Sequence, residues 1–179
     1  DHRKYVFVDT PGFEGSVRPA RDVLHTIADW LGEKYREGAL LTGVIFTYDV
    51  TDSQMYDSLS ESLDILCCIC GDKAAGRVRL VTTMWDQVEN PRLAENTVLQ
   101  LETNLWKPLI DAGARHMRFE NSRQSAWAII EDLGIEREAF LLQQELVDAE
   151  KHLYETFAGR ALYLQLQKLS REELQPKKR

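Results

Sequence analysis

Short apolar runs alternate with helix-length amphipathic stretches along most of this chain, and few architectures accept that order. Residues 4–8 (KYVFV) stop at Asp9-Thr10-Pro11-Gly12, which reads as a buried strand ended by a turn. Residues 20–36 carry Val23, Leu24, Ile27, Trp30 and Leu31 at helical spacing, and Gly38 closes that stretch. A second strand is expected over residues 43–50, followed by Thr51-Asp52-Ser53 as an N-cap and a helix through Leu59, Leu63 and Leu66 that ends at Gly71. Residues 78–84 predict a third strand, residues 93–112 a helix with Leu101, Leu105, Trp106 and Leu109, and residues 116–119 a short fourth strand. Strands joined by helix-length connections cannot be hairpins, so the expected fold is α/β, a mainly parallel sheet with helices on its faces. Sheets of this kind bind ligands at the carboxyl ends of their strands.

A chain of 179 residues suits one domain with its own core. With 22 Lys and Arg against 29 Asp and Glu, the net charge of -7 gives no general reason to bind nucleic acid or anionic lipid. No apolar stretch is long enough for a transmembrane segment. Cys67, Cys68 and Cys70 share one short cluster, so they cannot tie distant segments together, and a reducing, cytoplasmic setting is expected. They read as small apolar residues of a buried helix face, and the histidines show no metal-binding spacing. Residues 136–169 predict one long amphipathic helix, broken near Gly159, that either packs on the domain or extends toward a partner. The organisation expected is residues 1–134 as the main domain and residues 135–179 as a helical extension. The first residue is Asp rather than Met, so the start reads as a cut.

Two strand ends carry chemistry. At the first, Asp9 is a carboxylate that can hold magnesium, Pro11 fixes the turn, and Gly12 lets its N–H approach a phosphate with no Cβ in the way. Alternatively, Asp9 caps a turn. At the second, Thr82-Thr83-Met84-Trp85-Asp86, the Asp86 carboxylate can accept two hydrogen bonds from the N1–H and amino group of guanine, a pairing adenine does not offer. Thr83 can tie this loop to its neighbours and Met84 can lie along a base face, whereas the plainer role for Asp86 is a helix cap in competition with Asn90-Pro91.

DTPG after one apolar strand and TMWD after another resemble the third and fourth motifs of P-loop GTPases. With FTYDVTDSQM, LVTTMWDQV and ETFAGRAL, the chain is similar to the G-domain proteins abundant in mushroom-forming fungi, from Tyr5 to about Leu169. Those proteins are related in style to immunity-associated, septin and chloroplast-import GTPases. The resemblance implies a P-loop-type fold that binds GTP or GDP with Mg2+. Asp9 would meet the magnesium shell and Gly12 the γ-phosphate, within a switch loop over residues 9–18. Thr83 and Asp86 would form the guanine-specificity motif, and Asn121 the fifth motif, with Ser125-Ala126-Trp127 as the other candidate for it. It further implies a slow or partner-stimulated GTPase switch, with a homodimer or another protein as partner.

The chain departs from that pattern at three places. Met84 stands where the motif has Lys, and Phe13 stands where Ras-like proteins have the Gln that orients water. The phosphate loop GxxxxGK[ST] does not occur, and the strand preceding it, which the resemblance puts between residue 5 and residue 44, is missing with it. The alternative function is therefore a pseudo-GTPase that binds no nucleotide and serves as an interaction module. A third reading is an unrelated doubly wound domain.

Overall fold

The computed structural model describes residues 4–13, 18–52 and 56–174. Helix α1 (Ala20–Arg36) has Asp22 in its first turn and Lys34 and Arg36 in its last, charges that suit the two ends of a helix dipole. It stops where Gly38 takes a φ of +81°. Its buried stripe, Val23, Leu24, Ala28 and Leu31, follows the expected spacing.

Three strands form one sheet, β1 (Val44–Asp49), β2 (Val78–Thr83) and β3 (Arg115–Arg118), in the order β1-β2-β3 and all parallel. The central strand β2 is buried over Val78–Thr82, as a parallel strand covered on both faces must be. Helix α2 (Tyr56–Cys70) joins β1 to β2 through a 3-10 segment (Asp72–Arg77). The connection from β2 to β3 runs through a 3-10 turn (Trp85–Gln87), α3 (Pro91–Gln100) and α4 (Lys107–Asp111). Asn90 caps α3, its side chain accepting from Leu93 N. The single helix expected over residues 93–112 is thus interrupted by a π turn (Leu101–Leu105), after which α4 begins with Pro108 in its first turn. Helix α5 (Arg123–Asp132) follows β3, capped by Ser122. Arg79 on β2 is buried and holds the end of α5 through Asp132, Nε to Oδ2 2.5 Å apart.

Residues 4–8 are not a strand. They are exposed, with Val6 at 76% and Phe7 at 66%, although the Tyr5 ring meets Trp127 of α5 edge-on at 5.3 Å. An apolar run becomes a strand only beside a strand about 4.8 Å away to accept its hydrogen bonds. The sheet of the described residues consists of β1, β2 and β3, and residues 4–8 pair with none of them.

The long helix expected over residues 136–169 is also corrected. It consists of α6 (Leu141–Gln143) running into a π turn (Gln144–Asp148), then a 3-10 turn (Leu153–Glu155), then α7 (Phe157–Leu174). The breaks lie before Gly159, at Glu150, which has a φ of +49°, and at Thr156, whose Oγ1 accepts from Gly159 N as the cap of α7. Buried Glu145 accepts from Phe157 N and pairs with Lys151 at 2.9 Å, which fixes the start of α7. Gly159 is required here for space, since a Cβ would overlap the Leu153 carbonyl oxygen.

Two large cores result. Leu59, Leu63, Val78, Leu80, Leu101, Trp106 and Phe140 fill one. Leu24, Leu31, Ile65, Leu142, Ala158 and Leu162 fill the other, against which Phe13 packs. Both α6 and α7 therefore cover the domain. Among the described residues, no helix is long and apolar enough to cross a membrane.

Candidate functional site

The candidate site lies at the carboxyl ends of β2 and β3. Beyond Thr83 the chain turns at Met84, whose φ of +62° is a left-handed conformation uncommon for a residue with a Cβ. This turn starts the 3-10 segment that carries Trp85 and Asp86. Beyond β3, Asn121 takes a φ of +50°. The two irregular turns bring Asn121 to Asp86, and Asn121 Nδ2 donates to Asp86 Oδ2 at 3.4 Å, a long hydrogen bond between exposed groups. A carboxylate has about four lone-pair positions, so Asp86 keeps acceptor capacity for a ligand. The loop is anchored on both sides. Thr83 Oγ1 donates to Tyr48 O of β1 at 3.2 Å, and Trp85 packs with Val50, Ala94, Val98 and Val88 in a small apolar cluster.

Asp86 is not the cap of α3, since Asn90 fills that position. Met84 is partly exposed and its Sδ accepts from Gln87 Nε2 at 3.6 Å. Asp9 and Gly12 are exposed, in the segment that lacks a partner strand. No hydrogen bond or ion pair among the described residues joins them to Asp86 and Asn121. Ser125 sits in the first turn of α5, where its N–H is capped by Ser122 and its Oγ accepts from Glu120 N. Asp49 closes its own turn by accepting from Thr51 N and Thr51 Oγ1. The N-cap expected at Thr51-Asp52-Ser53 falls partly outside the described residues, as does the switch loop expected over residues 9–18.

Compared with models of protein families, with curated proteins and with solved structures, the chain finds no match.

Two residues at the site carry no role in the motif reading, Trp85, which stands inside TMWD, and Arg118. The Arg118 guanidinium lies over the Trp85 ring, 3.6 Å from its centroid, in a cation–π stack. The signal was present in the sequence: Trp85 precedes Asp86, and Arg118 closes the strand that leads to Asn121. What the sequence lacks is the pairing of β2 with β3 that superposes them. The stack supplies a flat cationic face beside a carboxylate, a combination suited to a planar heterocycle with N–H donors on one edge.

Other features supply no chemistry of this kind. Among the described residues, no group of three or more His, Cys, Asp or Glu side chains is arranged for a metal ion. A groove lined by His25, Asp29, Arg36, Lys151 and His152 carries mixed charge and includes no strand end. Of the three cysteines expected on a buried helix face, Cys70 is buried and Cys67 and Cys68 are half-buried. Burial pushes Cys67 up to about 11, with Asp64 adding repulsion, and burial pushes Cys70 up to about 12. Cys67 and Cys70 of the folded protein should therefore react with a thiol alkylating agent about a hundredfold or more slowly than a free thiol near neutral pH. Alkylation at the free-thiol rate would contradict this. Both folded values lie above the unfolded one, so this stabilisation is complete below about pH 8.5 and is lost as pH climbs toward about 12.

Proposed function

We propose that the ends of β2 and β3 recognise a guanine base, and that the chain is the greater part of a guanine-nucleotide-binding G domain. The observation that carries this reading is the convergence of Asp86 and Asn121, from separate parallel strands, on one another. Asp86 and Asn121 lie 35 residues apart in sequence, and nothing in that spacing requires them to meet. Asp86 accepts from the N1–H and amino group of the base, Thr83 holds the loop to β1, and Asn121 fixes the carboxylate. Adenine has an acceptor at N1 and is repelled by the same carboxylate.

Magnesium would be held by Asp9 together with nucleotide phosphates, a fitting supply because Mg2+ commonly takes one or two carboxylates and completes its shell with phosphate oxygens and water. An ion held there would neutralise phosphate charge. Gly12 offers an N–H to the terminal phosphate without steric hindrance. In its intact form such a domain works as a slow or partner-stimulated GTPase switch. Phe13 cannot orient water and instead packs against the core, so hydrolysis depends on another residue or on a partner, a second copy included.

The base-recognition half is testable with the chain in hand. GMP at millimolar concentration should shift the backbone amide resonances of residues 84–87 and 121, and AMP should leave them in place. Equal shifts from both, or none from GMP, would contradict the reading. Without a phosphate loop the chain should bind Mg2+-GTP weakly by titration calorimetry, because the backbone nest and Lys that grip phosphate are missing. Sub-micromolar, magnesium-dependent affinity would contradict that expectation.

A second reading, a nucleotide-free interaction module, is favoured by one observation. Val6 and Phe7 are exposed, and Tyr163 and Leu164 stand at 62% and 64% exposure on α7. Failure of GMP to move the strand-end resonances would leave this reading in place.

A further inference from the structure

A chain of hydrogen bonds runs beneath the proposed base site. Glu102 Oε1, from the π turn, is 2.7 Å from His116 Nδ1 on β3. His116 Nε2 is 3.0 Å from Thr82 Oγ1 on β2. Thr82 Oγ1 in turn accepts from the Trp85 indole N–H at 3.0 Å, and Trp85 carries Arg118 and adjoins Asp86. Thr82 is fully buried and the His116 side chain is 15% exposed. The Glu102 side chain, 38% exposed, forms the outer end of the chain, and the links through Thr82 join packed elements.

The donors and acceptors settle the tautomer. A carboxylate only accepts, so His116 carries a proton on Nδ1 toward Glu102. In the neutral ring Nε2 then accepts the Thr82 hydroxyl proton, leaving the Thr82 oxygen free to accept from Trp85. When the ring takes up a second proton, Nε2–H must donate. The Thr82 hydroxyl has to turn its own proton elsewhere, and the Met117 carbonyl oxygen at 3.4 Å is the acceptor within reach. Thr82 Oγ1 then receives two N–H donors while its own donor bond is long, so Trp85 loses part of its anchor.

We propose that His116 is a positioning residue of the strand-end site, acting through Thr82 on Trp85 and coupling the Met84–Gln87 loop to pH. The charged group that meets the imidazole is Glu102. Arg118 shares its face of β3, β2 contributes the uncharged Thr82, and the turn after the π turn contributes the Trp106 ring at 5.4 Å. The functional half of this proposal rests on the strand end being the base site.

The four tryptophans give four indole N–H resonances, and Trp85→Phe identifies the relevant one. In a pH titration the Trp85 resonance should move in step with the His116 ring protons, to which it is joined through Thr82. In Thr82→Val the Trp85 movement should be lost while Trp106, which touches the imidazole directly, continues to titrate. Thr82→Ser keeps the hydroxyl and should keep the Trp85 movement. His116→Asn should remove the titration from both indoles, which provides the test if Thr82→Val does not fold. A stationary Trp85 resonance in the natural protein overturns the proposal. So does movement that persists in Thr82→Val or in His116→Asn.

GMP separates the two layers. Its affinity should fall severalfold as His116 is protonated, and this step should vanish in Thr82→Val. If Trp85 follows His116 but GMP does not perturb it, the guanine reading fails and the hydrogen-bond coupling stands.

Discussion

Trp106→Ala should destabilise the protein by about 3–5 kcal/mol, the range for removing a large aromatic side chain from a packed core. Trp106 is fully buried, directly after the π turn, and contacts Tyr48 of β1 at 6.0 Å and His116 of β3 at 5.4 Å between ring centroids. One side chain thus fills the space between the α3–α4 connection and both outer strands of the sheet. Its loss leaves a cavity that β1 and β3 cannot close without breaking their register with β2. For a chain of this size the loss corresponds to a fall in Tm of about 6–20 °C.

The indole N–H of Trp106 has no hydrogen-bond acceptor among the described residues. Trp106→Phe should therefore cost well under half as much as the alanine variant, because it removes volume but orphans no partner. Leu93→Ala on α3, where the side chain is 64% exposed, should change stability by no more than about 0.5 kcal/mol. Urea unfolding of the three variants provides the check. A Trp106→Ala loss as small as that of Leu93→Ala would mean that the core is not built around this ring.

Much of this architecture is legible in the sequence, and the exceptions share a cause. The helix α1, the three strands of the sheet and the parallel topology follow from periodicity and connection length, which are local properties. The failures depend on distant partners or on single backbone angles. Residues 4–8 have the apolar pattern of a strand, but a strand also needs an adjacent edge, and pattern alone does not report one. The helical period of residues 136–169 continues in phase across Glu150 and Thr156, so the left-handed turn and the new cap pass unnoticed. Thr156, three residues ahead of Gly159, was the available cap signal. At the site, Asp86 and Asn121 could be nominated separately, but their contact and the Trp85–Arg118 stack are products of strand pairing. Thr82 and His116 were hidden for the same reason, each reading as an ordinary strand residue until β2 and β3 are set side by side.

Asp86→Asn is the other substitution with a large expected effect, on specificity rather than stability. Asp86 is exposed at the end of β2, and its described hydrogen bond is the long one from Asn121, so the amide should be accommodated without disturbing the fold. A carboxylate accepts twice, matching the N1–H and amino donors of guanine. The amide of Asn accepts once and donates once, which matches the N1–H and the carbonyl at position 2 of xanthine and sets an N–H donor against the guanine amino group. A bidentate base contact of this type is worth about 1–3 kcal/mol of discrimination, or roughly a fivefold to hundredfold change in relative affinity. The most direct measurement is a parallel titration of the natural protein and Asp86→Asn with GMP and XMP, followed through the amide resonances of residues 84–87. GMP should bind the natural protein more tightly than XMP, and the order should reverse in the variant. An unchanged order, with both proteins folded, would remove Asp86 from base recognition and with it the proposed guanine site.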